Sequence, residues 1–170
     1  IQTNLREIDM QDLSAERFVA DLKDFHATVV LLNAAGISAG YDTKLPYHSK
    51  NPYLTGDSLE RIVDLCHENG IRVIARADFS KVKKNVYEMH PEWAFRTEHG
   101  DVMEQNGFIQ TCLCGDYQQK FAFEILEELF GRIPFDGLYC NMGGFQTRDY
   151  EFRDYGSVSY THLTLPTNRE

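Results

Sequence analysis

FDGLYCNMGGFQTRDY, residues Phe135 to Tyr150, decides how the rest of the chain is read. Pro134 breaks the helical pattern ahead of it, Gly137 to Cys140 reads as a short buried strand, and Asn141 is the first polar side chain at its carboxyl end. A buried strand that runs straight into a polar, glycine-containing loop is where α/β enzymes keep their chemistry. Three earlier strand candidates end the same way, with Asp9, Asn33 and Asp78 at or near the exit. Four strands delivering polar groups at one end predict an active-site face on a parallel sheet.

The elements ahead of that stretch support it. Leu5 to Met10 reads as a first strand, and Asp12-Leu13-Ser14 opens a helix whose Phe18, Leu22 and Phe25 recur at helical spacing. Thr28 to Leu32 is an apolar, β-branched run expected to be buried on both faces. After a long loop, Asp57 with Glu60 makes a capping-box-like start, and Leu59, Ile62, Val63 and Cys66 form one apolar face before Asn69-Gly70 stops the helix. Ile71 to Asp78 is the third strand. A second long loop runs to Gly115, where Asp116 caps a helix carrying Phe121, Ile125 and Leu129, and Phe135 to Asn141 completes the series. Alternating βαβ units favour parallel strands with right-handed crossovers. A doubly wound sheet accepts four strands, whereas a (β/α)₈ barrel uses about 250 residues, so the chain would supply its first half. Long loops at strand exits and short helix-to-strand returns fit the barrel better.

Composition narrows the function. The chain has 170 residues, with 42% hydrophobic and 25% charged side chains, enough to bury a core as one domain or part of one. A net charge of −9 and a pI near 5.1 argue against a nucleic-acid groove and suit a neutral substrate. No apolar run approaches the roughly 20 residues that span a bilayer, and the start shows no signal-peptide pattern. A soluble, cytoplasmic protein is expected, although the lack of an initiating Met leaves room for a leader ahead of Ile1. Cys66, Cys112, Cys114 and Cys140 are too scattered for a disulfide framework. Cys112-Leu113-Cys114 lacks a second pair, and the histidines show no metal-binding spacing, so neither metal nor cofactor is expected. From Ser157 the sequence SVSYTHLTLPTNRE loses the βα rhythm and resembles a foreign, adapter-like tail. The expected division is a domain over residues 1–156 and an unpacked tail over 157–170, the alternative being a Thr-rich edge strand.

Five runs in order, NLREIDM (Asn4 to Met10), TKLPYHSKNPYLTGDSL (Thr43 to Leu59), GIRVIARADFSKV (Gly70 to Val82), HPEWAFRTEHG (His90 to Gly100) and the stretch from Phe135, resemble the hypothetical glycosyl hydrolases found with beta-galactosidase-type trimerisation domains. The resemblance covers Ile1 to about Gly156. It implies the amino-terminal half of a TIM barrel, with four parallel strands and three crossover helices, distantly similar to alpha-L-fucosidases and beta-galactosidases. It also implies a carbohydrate substrate, hydrolysis without a metal, and homo-oligomeric full-length relatives. Such barrels usually carry their two carboxylates at the ends of strands four and seven. Here strand four reads Asn141-Met142, where the beta-galactosidase pattern has Asn then Glu, and an aspartate of the fucosidase pattern would stand at Asn141. A chain without strand seven is expected to be inactive as it stands, and a non-catalytic carbohydrate-binding barrel is the competing class.

Glycoside hydrolysis needs two carboxyl groups about the scissile bond. Asp149, the nearest carboxylate after Asn141, and Glu92 are the catalytic candidates, the latter competing with a role at the positive end of a helical turn. Asn141 orients a sugar hydroxyl or serves as a turn residue before Gly143-Gly144. Arg76 and Asp78 share strand parity, and therefore one face, where they clamp vicinal hydroxyls or form a structural ion pair. Glu7 and Asp9 also share parity, and Asp9, nearer the exit, is the preferred substrate-binding residue. The long loops add Lys44, Tyr47, His48 and Trp93, whose aromatic members either face a sugar ring or anchor the packing.

Overall fold

The structure, a computed structural model, describes residues 1–97 and 99–141. Asp149 and the tail from Ser157 lie outside the described residues. A parallel sheet of β1 (Val29–Gly36), β2 (Arg72–Asp78) and β6 (Gly137–Asn141) is laid down in the order β1-β2-β6. Ile1 to Thr3 runs beside the free edge of β1, with Gln2 bridged parallel to Leu31 and the Leu31 amide donating to Ile1 O at 2.8 Å. The first strand expected at Leu5 to Met10 is therefore shifted. Glu7–Met10 is a 3₁₀ turn instead, because the Asp9 carboxylate accepts the Arg6 backbone N–H at 2.8 Å and closes the chain on itself.

Three helices link these segments. In α1 (Ala15–Asp24) Ala15, Val19 and Leu22 are buried, and in α2 (Leu59–Glu68) Leu59, Ile62, Val63 and Cys66 are. In α4 (Ala122–Arg132) the buried face is Ala122, Ile125 and Leu129. Each set follows the helical repeat, so one stripe meets the sheet or a neighbouring helix while the other stays wet. Ser58 accepts the Arg61 N–H and caps α2; Asp57, the expected cap, reaches instead to the Ala15 amide at 2.8 Å and holds the start of α1. Asp116 makes no capping bond, since the chain enters α4 through a π turn, Tyr117–Phe121.

The two faces of the sheet differ. Val30, Leu32, Val73, Ala75 and Ala77 are wholly buried on one, while Leu31, Asn33, Ile74, Arg76 and Asp78 on the other are half-buried. β1 is thus buried on one face only. The last strand also departs from the expected burial: Leu138 is 40% and Tyr139 47% exposed, because no described strand pairs with its outer edge. Asp136 anchors its entry by accepting the Val73 N–H at 2.7 Å.

The second long loop is not irregular. It holds β3 (Lys81–Lys83), α3 (Lys84–Met89), a 3₁₀ turn at Pro91–Trp93, β4 (Glu104–Gln105) and β5 (Phe108–Gln110), with the strands forming an antiparallel sheet in the order β3-β5-β4. Asn106 and Gly107, both at positive φ, form the two-residue turn between β4 and β5. The excursion closes on itself, because the Thr111 amide donates to Ser80 O at 2.9 Å and its hydroxyl to Phe79 O at 2.5 Å. Among the described residues no helix is long and apolar enough to cross a membrane.

Candidate functional site

The carboxyl ends of the parallel strands carry a connected polar group. Asn33 of β1 stands beside Arg76 of β2, and Asp78 beside Asn141 of β6, in the parallel register that puts paired side chains on one face. Arg76 Nη1 donates to Asn33 Oδ1 at 2.7 Å, and Asn33 Nδ2 donates to Leu5 O at 2.6 Å. Asp78 accepts at Oδ1 from the Ser80 amide (3.0 Å) and hydroxyl (2.5 Å), and at Oδ2 from Asn141 Nδ2 at 2.8 Å. Arg76 Nε is buried without a hydrogen-bond partner. A guanidinium with an unused donor and a carboxylate fixed by neutral groups can together donate to and accept from a polyhydroxylated ligand.

Asn33, Arg76 and Asp78 front a cavity of about 260 Å³, and Asn141 adjoins it through its bond to Asp78. Its remaining polar wall comes from the first turn, where Glu7 Oε1 accepts from Lys83 Nζ at 2.7 Å and from the Ser38 hydroxyl. Leu5, Met10, Ile37 and Phe108 supply an apolar wall. Asn51 braces the first turn by donating to Glu7 O at 3.1 Å. Gly36 pairs with Asp78 across the strands: its φ is +106°, and a Cβ there would lie 2.1 Å from Asp78 O. Behind it His48, 3% exposed, accepts the Gly36 N–H at Nε2 (3.3 Å) and leaves Nδ1 unpartnered. Burial pushes this imidazole down from its ordinary value to about 4, partly offset by Glu128, so it is neutral near pH 7.

The sequence candidates therefore separate. Arg76 and Asp78 line the cavity, and Asn141 holds Asp78 from the neighbouring strand. Asp9 does not reach it; its carboxylate pairs with Arg6 at 2.7 Å, which holds it below the usual carboxylate range. Lys44 is exposed and salt-bridged to Asp42. Tyr47 donates its hydroxyl to Glu124, and burial followed by that carboxylate raises its ionisation well above the ordinary phenol value. Trp93 is 2% exposed, stacked on His90 at 3.9 Å and packed against Tyr117 and Phe121, so it is a core anchor and offers no open face. Glu92 lies in the Pro91–Trp93 turn, exposed and paired with His90 at 3.0 Å. Among the cavity residues, Phe108 carries no sequence signal, while Glu7, which shares parity with Asp9, and Asn33, at a strand exit, stand among the polar groups that the sequence does not assign to the site. Among the described residues, no three His, Cys, Asp or Glu side chains gather as a metal site.

Residues 14–142 match the family model described as hypothetical glycosyl hydrolase 6. Among solved structures, alpha-L-fucosidase isoenzyme 2 from Paenibacillus thiaminolyticus superposes with a TM-score of 0.65 at 20% identity, over 85% of this chain and 22% of that one. A hypothetical protein from Ruminiclostridium thermocellum ATCC 27405 gives 0.63 at 16% identity, over 90% of this chain and 86% of that one. A noncanonic maltogenic alpha-amylase from Thermotoga neapolitana gives 0.57 at 18%, over 76% and 34%. At these identities the likeness is one of fold: a mixed α/β structure with a parallel three-stranded sheet, similar to glycoside hydrolase TIM-barrel folds. The chain spans about a fifth of the fucosidase's length. Among curated proteins none matches.

Proposed function

Because the chain belongs to the hypothetical glycosyl hydrolase 6 family, we propose that it is a glycosidase whose sugar site lies at the carboxyl ends of its parallel strands. The observation that carries this reading is the Asn33–Arg76 and Asp78–Asn141 pairing on one face at that end, with Asn33, Arg76 and Asp78 lining the cavity. Acceptors and donors fixed on rigid strands suit vicinal hydroxyls, and a carboxylate beside them suits glycosidic chemistry.

The sheet is read as the opening part of a (β/α)₈ barrel within a domain over residues 1–156. Three features support that reading over a doubly wound sheet. The spatial order, from the edge segment at Gln2 through β1 and β2 to β6, never reverses. One face is buried throughout while the other stays half-open, and Arg132 of α4 pairs with Glu60 of α2 at 2.7 Å, as in a single helical layer. The long excursions leave from the carboxyl ends of β1 and β2. Of the two carboxylates lining the cavity, Glu7 and Asp78, Asp78 at the strand end is the proposed member of the catalytic pair, with Asp149 its proposed partner.

One observation favours the binding reading. Asn141 stands at the end of β6 as an amide and spends a donor on Asp78, so this strand end supplies no acid. Incubation with a panel of 4-nitrophenyl glycosides, with calorimetry in parallel, separates the two. Turnover that Asp78→Asn abolishes supports the glycosidase; binding without turnover supports the lectin-like reading; neither signal removes both.

A further inference from the structure

Given the glycosidase reading, on which this step rests, Arg76 selects the class of sugar. It lines the cavity, and no carboxylate among the described residues forms an ion pair with it. Its register neighbours, Asn33 on β1 and Tyr139 on β6, are both neutral. Asn33 takes Nη1 at 2.7 Å, which leaves the Nε–Nη2 edge of the guanidinium without a partner among the described residues. That edge is a side on which a guanidinium receives a carboxylate through two parallel bonds. A half-buried cation held only by an amide is costly, and an arriving anion offsets the cost.

The other charged groups of the wall are already engaged. Arg6 is paired with Asp9 at 2.7 Å, and Glu7 with Lys83, which stands outside the wall, at 2.7 Å. Asp78 has both oxygens occupied: Oδ1 accepts from the Ser80 amide and hydroxyl, and Oδ2 from Asn141 Nδ2. Arg76 is therefore the charge at the cavity whose contacts are incomplete. One such cation matches one negative charge; a phosphate would bring nearly two beside Glu7 and Asp78. The net charge of −9 does not oppose this, because exposed charges are screened beyond about 8 Å at physiological ionic strength, whereas Arg76 acts at contact. The cavity of about 260 Å³ is small beside the ~300–1,000 Å³ of drug-sized sites, and it suits a single ring. We infer that Arg76 is the specificity-determining residue, and that the site takes a uronic acid glycoside whose carboxylate is received on the Nε–Nη2 edge.

Calorimetry with 4-nitrophenyl hexuronides, the matching neutral hexosides and the hexoside 6-sulfates tests this. The parent binds at least one hexuronide about tenfold or more tighter than its matching hexoside, the worth of one charge-assisted contact. Arg76→Gln removes that preference and changes hexoside affinity little. Arg76→Lys, which keeps the charge but loses the planar fork, retains only part of the preference and serves should the Gln variant fail to fold. A preference undiminished in Arg76→Gln, or in Arg76→Lys if it alone folds, overturns the role of Arg76. A 6-sulfate bound as tightly as the hexuronide overturns the carboxylate assignment. Hexoside binding as tight as hexuronide binding in the parent overturns the uronate assignment and leaves the glycosidase reading standing. A parent that binds and cleaves none of the three removes both.

Discussion

Gly36 and Asp78 meet backbone to backbone where the carboxyl ends of β1 and β2 pair, and that contact holds Asp78 in place. Any side chain at Gly36 must adopt a φ of +106° and displace the Asp78 carbonyl. Gly36→Ala is therefore expected to cost about 2–4 kcal/mol in urea denaturation and to weaken glycoside binding, because strain and overpacking fall on the same atoms. His48 supports the same point from behind. Its folded-state value near 4 lies below the ordinary value, so the unfolded chain takes up the proton first as the pH falls. Its contribution is intact above about pH 6.5 and is lost progressively down to about pH 4, by roughly 3 kcal/mol in all. Melting curves at pH 7 and pH 4.5 should differ in the parent, and the difference should shrink in His48→Gln, whose amide oxygen still accepts the Gly36 N–H. Arg76 and Asp78 were legible as a pair because strand parity is a local property. Glu7 was not: choosing Asp9 over it assumed an extended chain, and the Arg6–Asp9 bond turns Glu7 toward Lys83, a partner remote in sequence. Trp93 misleads for a related reason, since Tyr117 and Phe121, which pack on it, come from the turn that leads into α4.

Helices and strands separate into those whose signals are local and those whose signals are not. The apolar stripes of α2 and α4 stand where periodicity places them. Ser14 and Ser58 cap α1 and α2 from the adjacent position, whereas the bond from the Ala15 amide to Asp57 is one that adjacency does not show. Ser58→Ala and Asp57→Ala should each cost about 1 kcal/mol. Hydrogen exchange tells them apart: Ser58→Ala speeds exchange in the first turn of α2, and Asp57→Ala in the first turn of α1. Acceleration confined to α2 in both variants would disprove the cross-cap. The antiparallel sheet within the second loop is absent from the sequence reading, although Asn106-Gly107 is a hairpin signal that could have found its turn. Its strands of two and three residues are too short to show alternation, and β3 pairs with β5 across a gap that periodicity does not register.

Across the whole molecule, stability and recognition draw on different parts of the chain. Trp93 joins the loop excursion to the core through Tyr117 and Phe121. Trp93→Ala should lower stability by roughly 3–5 kcal/mol, seen as an earlier urea midpoint, while Trp93→Phe costs much less. Glycoside affinity measured on the folded Trp93→Phe protein should match the parent; a selective loss of affinity would return Trp93 to the sugar site. The sheet, by contrast, contributes Asn33, Arg76 and Asp78 to the cavity, and the excursion contributes Phe108. Thr111 stitches the two ends of that excursion together at Phe79 and Ser80. It is thereby a cassette with a shared doorway: a different segment leaving at Ser80 and returning at Thr111 could be grafted onto the same strands, changing which sugar is read without rebuilding the frame beneath it.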